Sequence, residues 1–389
     1  MQRRTVVLTL GTAQTLAWAS SFYLPAMLAV PMAADLGVTA PTVYALLSMA
    51  LMVSALVGPL AGRLIDRHGG RPVLAATSAV FAAGLLVMAC AQGFATLALA
   101  WLLLGLAMGS GLYDAAFAAL VRLYGRDARP AITGITLLAG FASTVGWPLT
   151  AWAEAQLGWR GACLVWAAAH LVLGLPLNAL LPRAVVATPP STGVAGATGT
   201  AAEPAARPPA RHMAPLLAGV FALQALVSTG IATHLPALLQ AAGATRTAAV
   251  ATAALVGPAQ VAARLMEAGL LRRMNPLLSA RAAALGHPAG AALMLAAGPA
   301  GAVAFAVLHG LGNGLITIVR GTLPLALFGA GGYGARQGWL TLPARLLGAL
   351  SPWAFGLAMA QWGVGVLWLS AAIALCACAG LLAIRLPGR

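Results

Sequence analysis

Twelve apolar stretches, each long enough to cross a bilayer, follow one another along this chain with mostly short breaks between them. A spanning helix needs about 20 apolar residues. The stretches cover 6–33, 41–63, 72–92, 96–121, 130–154 and 161–181, then 214–241, 247–270, 277–297, 299–325, 335–359 and 363–384. We number them spans 1 to 12. Those longer than the minimum are accommodated by tilt. Charged residues make up 7% of the chain and hydrophobic ones 61%, whereas a soluble domain carries about 25% charged residues. No soluble fold of 389 residues can cover so much apolar surface. Lipid is therefore part of the solvent, and the expected class is an all-α integral membrane protein with twelve transmembrane helices.

The net charge is +15, and all 22 basic residues are arginines. In a soluble protein that balance points to nucleic acid. Here the arginines stand between apolar runs without a basic stripe or interleaved aromatics, so no nucleic-acid partner is expected. They read instead as topology, because cytoplasmic loops collect Arg and Lys. With the N-terminus inside, 19 of the 22 arginines fall on the inner side; Arg160 and Arg246 fall outside and Arg345 lies within span 11. Both termini are thus expected in the cytoplasm, in the inner membrane of a bacterial-type cell. Arg3, Arg4 and Ala17-Trp18-Ala19 have the look of a cleaved signal peptide. The apolar run continues past Pro31 and many spans follow, so it reads as an uncut first helix. Cys90, Cys163, Cys376 and Cys378 all lie in apolar segments, as small buried hydrophobes do. No disulfide, metal or cofactor is expected.

The segment 183–212 is rich in Pro, Gly, Ala, Ser and Thr and lacks large apolar side chains. Such a composition cannot form a core. It reads as a flexible cytoplasmic linker between two six-helix bundles, 1–182 and 213–389. Echoes between the halves, in one order, support a duplication. Tyr23-Leu24-Pro25-Ala26 returns as His234-Leu235-Pro236-Ala237, and Leu56-Val57-Gly58-Pro59 as Leu255-Val256-Gly257-Pro258. Arg63-Leu64-Ile65-Asp66 returns as Arg264-Leu265-Met266-Glu267, and Gly109-Ser110-Gly111-Leu112 as Gly312-Asn313-Gly314-Leu315.

The loop after span 2 reads Gly62-Arg63-Leu64-Ile65-Asp66-Arg67-His68-Gly69-Gly70-Arg71. Its spacing and position resemble the signature loop of the major facilitator superfamily. That resemblance implies two pseudo-symmetric six-helix bundles and a cytoplasmic gating loop made of Gly62, Asp66, Arg67, Gly69 and Arg71. In the family the matching acid docks on span 11 and latches the cytoplasmic side. Glycines allow the tight turn, and an acid suits a helix N-terminus. Glu267 with Arg272 and Arg273 is a degenerate copy in the second half. Arg122-Leu123-Tyr124-Gly125-Arg126 and Gly158-Trp159-Arg160 are similar to features of the oxalate/formate and monocarboxylate branch. That branch carries a cationic side chain midway along span 11, where Arg345 lies. It also carries a cavity arginine in span 8, where this chain has Ala259 and Gln260, with Arg264 nearer the cytoplasmic end.

Ionisable groups in hydrocarbon are expensive and mark function. Asp114 is the carboxylate deepest within a span, and desolvation of a lone acid favours its neutral form, which suits a proton carrier. A structural ion pair is the competing expectation, with Arg345 as partner or, in its other role, as a holder of substrate anion. Arg320 lies nearer the inner end, where snorkelling is expected. Spans 1, 4, 7 and 10 line the cavity in the family, and their polar residues are Gln14, Trp18, Tyr23, Tyr113, Gln224, Thr229, His234, Asn313 and Thr317, with Ser21. We take these as substrate-binding candidates against the alternative of packing glue. Pro25, Gly140, Pro148, Pro236, Pro343 and Pro352 are expected to bend their helices.

No Walker A sequence, HExxH, paired intramembrane aspartates or nucleophile–base pair is present. The expected function is secondary transport of a small solute by alternating access, proton-coupled, of a small organic anion, by a monomer. Efflux of a drug-like or arsenic-type compound is the alternative within transport. An intramembrane enzyme or a non-transporting sensor is the alternative outside it.

Overall fold

The computed structural model describes residues 2–182, 212–269, 275–328 and 333–384. Apart from His212, the expected linker 183–212 lies outside the described residues, as do Arg272 and Arg273.

Eight runs of helix are long and apolar enough to cross a membrane. Three of them, Pro130–Ala179, Pro276–Phe328 and Trp339–Ala383, fold double at left-handed glycines: Gly158 (φ 70°), Gly298 (φ 58°) and Gly363 (φ 52°). A side chain would strain those turns, so each glycine separates two spans. Span 1 is split into Arg3–Ala19 and Pro25–Leu36. The described residues therefore hold twelve spans, and an even number places both ends of the bundle's chain at one face.

Small residues bring the helices together, as in other membrane bundles. A Cβ added at Gly105 or Gly109 of span 4 would stand 2.7 Å from the Ala50 or Ser54 carbonyl of span 2. In the second half, one at Gly310 of span 10 would stand 2.8 Å from the Val256 carbonyl of span 8. These contacts correct the register of the repeat. Gly111 faces Thr77 of span 3, and Gly312 faces Ala283 of span 9. Gly109 and Gly111 therefore correspond to Gly310 and Gly312, not to Gly312 and Gly314. The same register aligns Arg63 with Arg264. A two-residue slip turns a helix by about 200°, so the contacted neighbour decides between registers where a short glycine match cannot.

The halves meet along two seams. Spans 2 and 11 join through Trp353, whose N–H donates to Ser48 Oγ (3.1 Å), and through Gly356, which lies against Tyr44. The His234 ring of span 7 lies tilted against Tyr44, 3.9 Å between ring centres. Spans 5 and 8 join through Thr144, which donates to the Ala254 carbonyl (2.8 Å), and through an Arg246–Glu154 ion pair. All but the Thr144 contact lie in the end of the bundle opposite the N-terminus, and that end is closed.

Both arginines expected on the outer side are neutralised. Arg246 meets Glu154, and Arg160 meets Asp35. Gly158 turns the chain so that Trp159 donates to Asp35 (3.3 Å) and Arg160 donates to the Ala91 carbonyl (2.8 Å). The Arg160 hydrogen bond holds the Asp35 carboxyl below its usual range. A depressed carboxyl stabilises the fold above its unfolded-state pKa and loses that contribution as pH falls through its folded pKa. Thermal stability of Asp35→Asn should accordingly trail the parent at neutral pH and converge with it in acid. A constant gap across that range would exclude this tie.

Candidate functional site

Three helices break at middle depth in the first half. Span 1 turns between Ala19 and Pro25. Span 4 is interrupted at Leu112, whose extended backbone separates Phe94–Gly111 from Tyr113–Tyr124. Span 5 is interrupted between Ala139 and Ala142. Freed backbone groups at that depth need protein or a cavity beside them. Gln14 Nε2 donates to the Gly111 carbonyl (2.6 Å) and Thr77 Oγ1 to that of Ser110 (3.3 Å). Gln14 therefore supports the break from within the first bundle instead of lining the central opening. With Thr77, Ser78, His170 and Asn178 it walls a small cavity of about 10 Å³, room for about one water.

The break places Tyr113 and Asp114 in the first turn of a half-helix, where the dipole favours an acid. Of the two expectations for Asp114, the geometry shows the ion pair: its side chain is 68% exposed and 3.5 Å from Arg345, itself 49% exposed. Exposure on a face turned toward span 11 means an opening between the halves.

Arg264 makes a contact across the halves that its place in span 8 did not announce. It lies in the inner part of span 8, yet its guanidinium reaches across the halves. Nη1 donates to the Thr136 carbonyl of span 5 (2.7 Å), and the group lies beside the Tyr113 hydroxyl. Among the described residues no carboxylate pairs with it and its buried Nε has no acceptor. Arg264 stands one turn after Gln260 and is hydrogen-bonded to its side chain (3.5 Å). The signal available was its alignment with Arg63 in the repeat; side-chain length supplied the rest.

Trp18, Tyr23 and Tyr113 come together. Their rings join Trp147, Phe22 and Phe117 in one array, with centres 5.0–5.4 Å apart. The candidates of the second half scatter. His234 is locked in the closed end, its Nδ1 3.0 Å from the Gly230 carbonyl. Thr229 faces Gly348 of span 11. Gln224 is buried. Thr317 is exposed and donates to the Asn313 carbonyl (2.9 Å) one turn back. His287 and His309 form a buried pair at 3.0 Å with Ser370 alongside, inside the second bundle.

In the gating loop Gly69 has φ 85°, which demands glycine. Arg122 donates to the Asp66 carbonyl oxygen, tying spans 2 and 4. The Asp66 and Arg67 side chains are exposed, and Arg71 is half-buried. The Asp66 carboxylate has no partner among the described residues, and the chain just before span 11, towards which the resemblance would dock it, lies outside them. Gly62 approaches no neighbour. Glu267 turns back within its own half to accept from Ser279 (3.2 Å).

Comparison with curated proteins gives no match. Among solved structures, the chain is similar to a mutant of the nucleoside transporter NupG (TM-score 0.76, 14% identity, 97% of this chain and 99% of that one). It is similar to a D-xylose-proton symporter (0.72, 12%, 99% and 98%). It also resembles a bacterial homolog of the human lysosomal transporter Spinster, in an inward-facing and occupied conformation (0.70, 15%, 97% and 92%). At these identities the likeness is one of fold. The Major Facilitator Superfamily profile matches residues 10–318. With twelve spans, glycine-packed bundles and an opening between them, this multi-pass membrane protein belongs to the major facilitator superfamily and is a secondary transporter.

Proposed function

We propose that the protein carries a small organic anion by alternating access and that Arg264 holds the anion. The observation that carries this reading is the guanidinium of Arg264, partly sheltered between the halves with no acid beside it. An uncompensated charge inside a membrane protein is costly, and a substrate anion removes that cost. The closed outer end and the exposed Asp114–Arg345 pair support an inward-facing state. Bundles 1–182 and 213–389 would rock about the seams of spans 2 and 11 and of spans 5 and 8, with 183–212 as cytoplasmic linker and both termini inside.

Coupling to protons would run through the Asp114–Arg345 pair. Protonation of Asp114 releases Arg345, which then adds its charge to the anion site; deprotonation takes it back. Asp114→Asn in liposomes should abolish substrate-induced proton movement while substrate exchange persists. Undiminished proton movement rules Asp114 out as the carrier.

A further inference from the structure

The aromatic array around Arg264 narrows the substrate. Six rings from spans 1, 4 and 5 run in unbroken edge, tilted or stacked contact from Trp147 through Tyr23, Phe22, Trp18 and Tyr113 to Phe117. Trp18, Tyr23, Tyr113 and Phe117 are only half-buried, so part of the array is open to a ligand. They stand at the breaks in spans 1 and 4, and Tyr113 lies beside Arg264.

Three buried donors in this group lack acceptors: the indole N–H groups of Trp18 and Trp147 and the Nε of Arg264. A buried polar group without a partner is costly, and all three of these are donors. The missing ligand therefore presents acceptor oxygens toward the guanidinium and a flat π-face toward the rings. Charge sets its valence. While Asp114 is ionised and paired with Arg345, the positive charge left for the ligand at this site is that of Arg264.

We propose, on the anion reading above, that the substrate class is aromatic or conjugated monocarboxylates, with the carboxylate on Arg264 and the ring against Trp18 and Tyr113. Ring-on-ring contact favours an aromatic body over a saturated one of like size, by several-fold to about tenfold in affinity.

The experiment measures binding of benzoate, cyclohexanecarboxylate, acetate and benzamide to the purified full-length protein in nanodiscs, by thermal shift and by competition with labelled benzoate. Binding avoids the complication that benzoic acid crosses bilayers unaided. Benzoate is expected to bind several-fold tighter than cyclohexanecarboxylate, with acetate weaker still and benzamide weakest. Trp18→Leu should reduce the preference for benzoate over cyclohexanecarboxylate while acetate binding is retained. Equal binding of benzoate and cyclohexanecarboxylate overturns the aromatic assignment and leaves the anion reading standing. Benzamide binding as well as benzoate overturns the anion reading. No binding by any of the four overturns both.

Discussion

Replacing Arg264 by glutamine should abolish anion transport while leaving a folded, membrane-inserted protein. The side chain donates to the Thr136 carbonyl and lies beside Tyr113, contacts that a neutral amide can partly reproduce. What it cannot reproduce is the charge. Leaving one partner of a sheltered ion pair alone costs about 3 kcal/mol or more, which is about 100-fold or more in affinity. Arg264→Lys keeps the charge but loses the planar fork and should retain partial binding. Counterflow in proteoliposomes reads the transport loss, and a melting curve checks the fold. Full transport by the glutamine variant would remove Arg264 from the site.

Gly257→Leu should stop the transport cycle through geometry alone. A Cβ at Gly257 would stand 2.1 Å from Thr144 Oγ1 and 2.9 Å from the Gly140 carbonyl oxygen. Thr144 can turn away only by giving up its bond to the Ala254 carbonyl, and the Gly140 backbone has nowhere to go. Overpacking costs about 1–3 kcal/mol, here placed on the seam about which the halves must move. We expect transport to fall by about tenfold or more with a lowered melting temperature. Gly257→Ala should show a smaller defect, and Thr144→Ala added to Gly257→Ala should recover part of it. A leucine variant that transports normally would show that spans 5 and 8 do not hold this contact through the cycle.

The membrane class and the twelve spans were legible in the chain because hydropathy and span length are set residue by residue. The motif loop was legible for the same reason, since Gly69 announces a left-handed turn wherever it falls. Legibility failed where direction around a helix mattered. Gln14 looked like a cavity residue by its place in span 1, yet it serves the Gly111 carbonyl inside the bundle. For Asp114 a desolvated acid and an ion pair with Arg345 stayed level in the sequence, because nothing local reveals that span 4 breaks at Leu112 and turns the acid toward an opening.

The order of apolar runs and glycines by itself determined a twelve-span bundle in two halves, because each run must bury or immerse its own backbone. Only the tertiary structure decided which charges meet. Asp114 and Arg345 are 231 residues apart in the chain, and Arg264 serves Tyr113 from the other half. Such pairings depend on helix rotation and side-chain reach across an interface, and neither is written in local pattern.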